Sequence, residues 1–298
     1  FDLCVSEFVR VSQNLFPASV FYNYCPELKQ GGKTAAGVPV HVQIMGGEVQ
    51  VMAENAAFVA ELGAPGIDIN FGCPAKTVNR HDAGATLLQW PERLHNIVSA
   101  VRRAVPDTVP ISAKMRLGFS EKTLAMENAL AIAEAGVAKL TIHARTKLEG
   151  YRPPAHWEYL RPSVEQLDIP VVANGEIWTP DDYRNCRKIS SAEHVMVGRG
   201  VIARPSLGRE IAASRGNSSQ QIMFDWIGIL EVIAEYHHLI KAMNNPPRQA
   251  GRLKQWIKLL ARNYEEAGPL FMAIRRFDSP DEILREVELT QERVFRAA

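Results

Sequence analysis

Apolar runs of about five residues, closed by Gly, Pro or polar residues, recur along the chain and alternate with helix-like stretches. Seven runs, at 3–8, 38–44, 66–70, 109–115, 139–143, 169–173 and 194–197, predict strands. Between them, 48–62, 92–105, 123–135 and 180–188 space their apolar residues three and four apart, as one face of a helix does. Such alternation predicts right-handed βαβ units and a parallel sheet whose strands are buried on both faces.

Open doubly wound sheets and closed barrels share this pattern, and the polar residues separate them. Nearly every predicted strand ends in chemically capable groups: Glu7 and Arg10, Gln43, Asn70 and Cys73, Lys114 and Arg116, His143 and Arg145, Asn174 and Glu176, Arg199. Convergence from many strand ends on one mouth is the property of a TIM-type (β/α)8 barrel. Seven strands are counted where eight are needed. After Ile202 the pattern turns helical, with a short helix at 205–213, a polar break at 215–219, and helices at 222–243, 249–265 and 269–274. The predicted division is an α/β barrel over 1–216 and an all-helical domain over 217–298.

Composition narrows the class. The 298 residues are 46% hydrophobic, which supports a large core, and the net charge of +1 gives no global case for a basic nucleic-acid binder. Four cysteines without short spacings suggest neither a zinc site nor a disulfide framework. No run approaches the ~20 apolar residues of a membrane span, and the first residues lack signal-peptide character, so a soluble cytoplasmic protein is expected. The chain opens without Met on a strand-like run, from which more chain upstream is expected.

Candidate chemistry begins at residues 68–78, Asp-Ile-Asn-Phe-Gly-Cys-Pro-Ala-Lys-Thr-Val, where a buried strand runs into a Gly-Cys-Pro loop. Cys73 is either a small buried residue or an accessible thiol; a thiol of pKa about 8.5 can serve as general acid or nucleophile. Asn174-Gly175-Glu176 and Gly198-Arg199-Gly200, at the last two strand ends, read as tight turns singly and as a phosphate site together. Gln43, Lys114 and His143 could line a flat heteroaromatic cofactor, Lys114 neutralising a reduced ring, which suggests FMN. No G-x-G-x-x-G follows a strand, so a dinucleotide held in the Rossmann manner is not expected. From Tyr236 to Tyr264 there are six Lys and Arg and no Asp or Glu, either a solvated face or a phosphate-backbone surface.

At these residues the sequence resembles the tRNA-dihydrouridine synthases, in particular their bacterial C-type branch. The matching segments are Ser6 to Val11, residues 70–78, Lys114 to Gly118, His143 to Lys147 with Glu149 to Arg152, Asn174 to Trp178, and Gly198 to Gly200. The resemblance implies a flavin barrel with a helical tRNA-binding domain, reducing uridine 16 of the tRNA D-loop to 5,6-dihydrouridine with FMN and NADPH. It implies Cys73 as the acid that protonates C5, and Asn70 and Tyr151 as the residues that orient the uracil. Gln43, Lys114, His143, Asn174, Gly175, Glu176, Gly198 and Arg199 would hold the flavin; Arg10, Arg252, Lys254 and Arg275 would meet the tRNA backbone. No metal and a monomer are expected. In the family an Ala-Pro-Met strand against the flavin precedes the point where this chain starts, so either a fragment or a barrel open at one seam is expected. The rivals are a flavin barrel acting on a small molecule and an inactive tRNA-binding protein.

Overall fold

The computed structural model describes residues 1–75, 82–216, 224–241 and 246–297. Lys76, Thr77 and Val78 of the Gly-Cys-Pro segment, the domain boundary expected at 217, and both ends of the helix expected at 222–243 lie outside the described residues.

The strands are β1 (Cys4–Val5), β2 (Val9–Arg10), β3 (Val40–Met45), β4 (Ile67–Asn70), β5 (Ile111–Arg116), β6 (Lys139–His143), β7 (Val171–Asn174) and β8 (His194–Met196). All pair in parallel in the order β1-β3-β4-β5-β6-β7-β8, with β2 also on β3. The single first run expected at 3–8 is two short pieces. Cys4 pairs with Val40 and Val9 with Ile44, so one residue slips out of register between them, as at a bulge. Among the described residues nothing pairs β8 with β1, and the curled sheet has two edges. The architecture is the α/β barrel type, with seven strand positions filled.

The helices are α1 (Ala18–Tyr24), α2 (Val49–Glu61), α3 (Pro91–Ala104), α4 (Ala125–Glu134), α5 (Arg161–Gln166), α6 (Pro180–Ser190), α7 (Arg199–Ala203), α8 (Leu207–Ser214), α9 (Trp226–Ile240), α10 (Pro246–Leu260), α11 (Ala267–Ile274) and α12 (Pro280–Ala297). Among the described residues no helix is long and apolar enough to cross a membrane.

Strand register sorts the side chains by chemistry. Val40, Val42, Ile44, Ile67, Ile69, Ile111, Ala113, Met115, Leu140 and Ile142 share one face, all buried; together with Met52, Ala56 and Val59 of α2 and Ile97, Val98 and Val101 of α3 they make the core. The alternate positions, His41, Gln43, Asp68, Asn70, Ser112, Lys114, Arg116, Thr141, His143 and Asn174, carry polar groups on the other face. The expected continuous apolar strands are therefore alternating ones. Their inner face is polar, and on it Ser112, Asp68, Gln43 and Asn70 bond to one another, as do His143 and Asn174.

Two compact units emerge from the packing: Phe1–Glu176 with Arg184–Met196, and Ile177–Tyr183 with Val197–Ala298. In the second, Ile229, Leu230, Ile233, Leu253, Ile257, Leu260, Leu270, Ile274, Ile283 and Val287 form one apolar cluster. Two of these, Ile283 and Val287, stand on α12, a helix the apolar spacing did not bring out. Its start is nonetheless written in the sequence, with Pro280 in the first turn followed by Asp281 and Glu282 at the positive end of the helix dipole.

Candidate active site

The polar face of the first unit is built by pairing. Gln43 and Asp68 are register partners across β3 and β4, and Asp68 and Ser112 across β4 and β5. Ser112 Oγ donates to Asp68 Oδ1 (2.6 Å), Gln43 Nε2 donates to Asp68 Oδ2 (2.6 Å), and Asn70 Nδ2 donates to Gln43 Oε1 (2.8 Å). Burial pushes the Asp68 carboxyl up from its ordinary value, against the Ser112 and Gln43 bonds and the charges of Lys114 and Lys139. Neither Asp68, at the head of the 68–78 stretch, nor Ser112 is given a role by the sequence. The signal was the period-two alternation through Asp68 and Asn70, and through Ser112, Lys114 and Arg116.

At the end of β4, Asn70 Oδ1 accepts from the backbone N–H groups of Gly72 and Cys73, each at 2.8 Å, folding the Gly-Cys-Pro turn back over the strand. Arg116, fully buried at the end of β5, donates from Nε to Gly72 O (2.6 Å) and from Nη1 to Thr146 O (3.1 Å) and Gly150 O (2.9 Å). Its guanidinium lies 5.2 Å from the ring centroid of Tyr151, with which it also shares a hydrogen bond. One side chain thus ties the Cys73 turn to the loop that carries Tyr151. Of the two readings of Cys73, the structure has the buried one: the residue is 7% exposed, against Met45, Ala83 and Phe8. The turn made by Asn70 draws it inward.

Lys114 stands half-buried on the same face, and among the described residues no hydrogen bond or ion pair is formed by its ammonium. Burial, then the neighbouring Arg116 charge, bring its pKa down to about 8, with Asp68 opposing. His143 Nδ1 lies 3.0 Å from Asn174 Oδ1, and Asn174 Nδ2 donates to Met196 O (2.8 Å). Asn174 is therefore the acceptor, and His143 carries its proton on Nδ1. Burial, reinforced by Lys114, Arg116 and Arg145, lowers the imidazole to about 2, so it is neutral at any working pH. Its other nitrogen, Nε2, is buried with no partner among the described residues. The ring meets Tyr151 edge-on at 6.0 Å.

After β7 the backbone turns through positive φ at Gly175 (119°) and Glu176 (59°). Trp157 Nε1 donates to Gly175 O (2.9 Å), and Glu176 pairs with the buried Arg145. Arg10, on β2, borders a cavity of about 730 Å³ with Ser12, Gln13, Glu48 and Ala83, and among the described residues it forms no ion pair.

In the second unit, Arg199 sits 5.3 Å and Arg262 3.8 Å from the ring of Trp178. The acid-free stretch of α9 and α10 is partly neutralised from elsewhere in the chain. Lys241 pairs with Asp281 (3.3 Å), while Lys254 donates to Phe277 O (2.7 Å) and lies 3.6 Å from Asp278. Arg252 is half-buried with no partner among the described residues, and Arg275 is exposed at the end of α11.

Barrel strands here deliver a thiol, a lysine, a histidine and paired amides to their C-terminal ends, where barrel enzymes as a class carry their chemistry. Residues 1–271 match the family described as dihydrouridine synthase (Dus), and the chain belongs to that family. It is 52% identical over 284 residues to the tRNA-dihydrouridine(16) synthase of Pseudomonas putida, covering 95% of this chain and 88% of the relative. To the protein of the same name from Aquipseudomonas alcaligenes it is 49% identical, over 92% of this chain and 87% of the relative. Among solved structures, the old yellow enzyme homologue of Zymomonas mobilis shares the fold at 11% identity and a TM-score of 0.51, over 76% of this chain and 82% of that one.

Proposed function

We propose that this enzyme reduces the C5–C6 double bond of uridine 16 in the tRNA D-loop, giving 5,6-dihydrouridine, with FMN as cofactor and NADPH as reductant. The tRNA and the position come from the names of relatives about half identical to this chain. One observation carries the cofactor: Lys114, half-buried and without an acceptor among the described residues, shares a sheet face with a buried, orphaned His143 Nε2. A half-buried cation and a buried neutral ring nitrogen, neither with a partner among the described residues, fit a flat polar ring that turns anionic when reduced. FMN held there would supply the hydride for C6, replenished by NADPH.

The chain's own residues do the rest. Lys114 stabilises negative charge on the ring, His143 presents a lone pair, and Asn174, Gly175 and Glu176 form the turn beside it. Gly198 and Arg199 are assigned to the phosphate. Gln43 contributes through what its amide has left, one N–H and one lone pair, because Asp68 and Asn70 occupy the others. Cys73 Sγ gives its proton to C5, and the thiolate left behind falls under the field of the buried Arg116 guanidinium. Asn70 and Tyr151 orient the flipped-out uracil. Arg10, Arg252, Lys254 and Arg275 are assigned to the tRNA, with 1–216 as catalytic barrel and 217–298 as tRNA-binding helices, in a cytoplasmic monomer.

Incubation of the full chain with FMN, NADPH and unmodified tRNA tests the reading. Dihydrouridine at position 16, found by nucleoside mass spectrometry and mapped on the tRNA, is expected. NADPH oxidation through bound FMN with no dihydrouridine formed would overturn it.

A further inference from the structure

We propose that Asp68 is a positioning residue: through Gln43 and Asn70 it fixes which way the Asn70 amide points, and so holds the backbone of Cys73 in its turn. An amide side chain has a donor end and an acceptor end, and its orientation is settled by its neighbours. With Asp68 ionised, the two ends of the chain of contacts have fixed roles. At one end both Asp68 oxygens accept, from Ser112 Oγ and Gln43 Nε2 (2.6 Å each). At the other, the N–H groups of Gly72 and Cys73 can only donate, and both reach Asn70 Oδ1 (2.8 Å each). A carboxylate forces Gln43 to present its NH2, which leaves Oε1 for Asn70 Nδ2. The backbone donors independently force the same orientation on Asn70. Only one polarity of the two amides satisfies both ends, and the sheet register that pairs Gln43 with Asp68 and Asp68 with Ser112 keeps the groups in line.

The functional weight of this relay rests on the reading of Cys73 as proton donor; its structural content does not. Asp68→Ala removes the acceptor of Gln43 Nε2, which frees Gln43 to turn and takes from Asn70 Nδ2 its fixed partner. Gln43→Met cuts the relay between the two, so in that background Asp68→Ala has nothing left to pass on to the turn.

The readout is the rate at which iodoacetamide alkylates Cys73 in the full chain, followed by peptide mass spectrometry so that Cys4, Cys25 and Cys186 are counted apart. Asp68→Ala is expected to raise the Cys73 rate about tenfold, the scale of losing one or two bonds that oppose a local opening. In a Gln43→Met background the same substitution is expected to change the rate by less than about twofold, since additivity fails where two groups share one network. Coupling of this kind does not follow from mere loss of packing. An unchanged rate in Asp68→Ala, or an equal rise from it in the Gln43→Met background, overturns the proposal. If Asp68→Ala does not fold, Gln43→Met alone decides: a rise of about tenfold supports the relay and an unchanged rate overturns it. Retained dihydrouridine synthesis in Cys73→Ala would remove the catalytic reading alone and leave the alkylation result to decide the relay.

Discussion

Arg116 Nε donates to the carbonyl of Gly72 at 2.6 Å, and the same guanidinium reaches Thr146 O and Gly150 O. The Cys73 turn and the Tyr151 loop are therefore tied to one buried cation. Arg116→Met removes every one of these bonds and strands buried carbonyls, so a stability loss of about 3–5 kcal/mol is expected from denaturant midpoints. Arg116→Lys should recover little of it, because an ammonium cannot span the three acceptors as a planar fork does. A lysine variant as stable as the parent would show that charge alone is what the site needs.

Cys73→Ala tests the proton donor. Loss of a positioned general acid is worth about 10²–10⁴ in rate. Single-turnover formation of dihydrouridine should fall by that much, while FMN binding and tRNA retention on native gels stay near those of the parent. Oxidation of reduced flavin by tRNA at the normal rate would remove the assignment.

Lys114 gives the enzyme a pH dependence whose sign is fixed. The unfolded chain holds this proton up to about pH 10.4, the folded chain only to about 8. Between those values the unfolded state binds more protons, so stability rises with pH while the folded ammonium is lost. Affinity for reduced, anionic FMN should accordingly weaken as pH climbs through 8. Titration of flavin absorbance from pH 7 to 10 is expected to show this slope in the parent and a flat line in Lys114→Met.

The helical unit offers a contrast between two neighbouring cations. Arg252 has no partner among the described residues, so Arg252→Ala should weaken tRNA binding and lower the slope of log affinity against log salt by about one. Lys254 is engaged with Phe277 O and Asp278. Its replacement by Ala should cost about 1–2 kcal/mol of stability through the lost bonds, as well as any loss in tRNA affinity. Filter binding across a salt series, beside thermal melts, separates the two effects.

The strand order, the parallel pairing and the helices between strands were legible because apolar spacing is a local signal, repeated along the chain. The inner polar face was less so. Val-His-Val-Gln-Ile and Ile-Asp-Ile-Asn alternate strictly, yet strands buried on both sides are expected to be apolar on both, and the rule hid the pattern. Cys73 was found by its motif, but its burial depends on Asn70 Oδ1 reaching two backbone donors, a contact no spacing announces. Lys241 and Lys254 looked unbalanced because their acids, Asp281 and Asp278, come later in the chain than the window that was scanned. Helix α12 escaped because its buried residues are few, although its Pro280-Asp281-Glu282 start was readable.

Trp178 lies within 3.8 Å of one guanidinium and 5.3 Å of another. Indole emission is sensitive to nearby charge, so this ring is a native optical gauge of where Arg199 and Arg262 stand. With the other four tryptophans replaced by Phe, its fluorescence would follow an anion drawing Arg199 away, in real time and without a label.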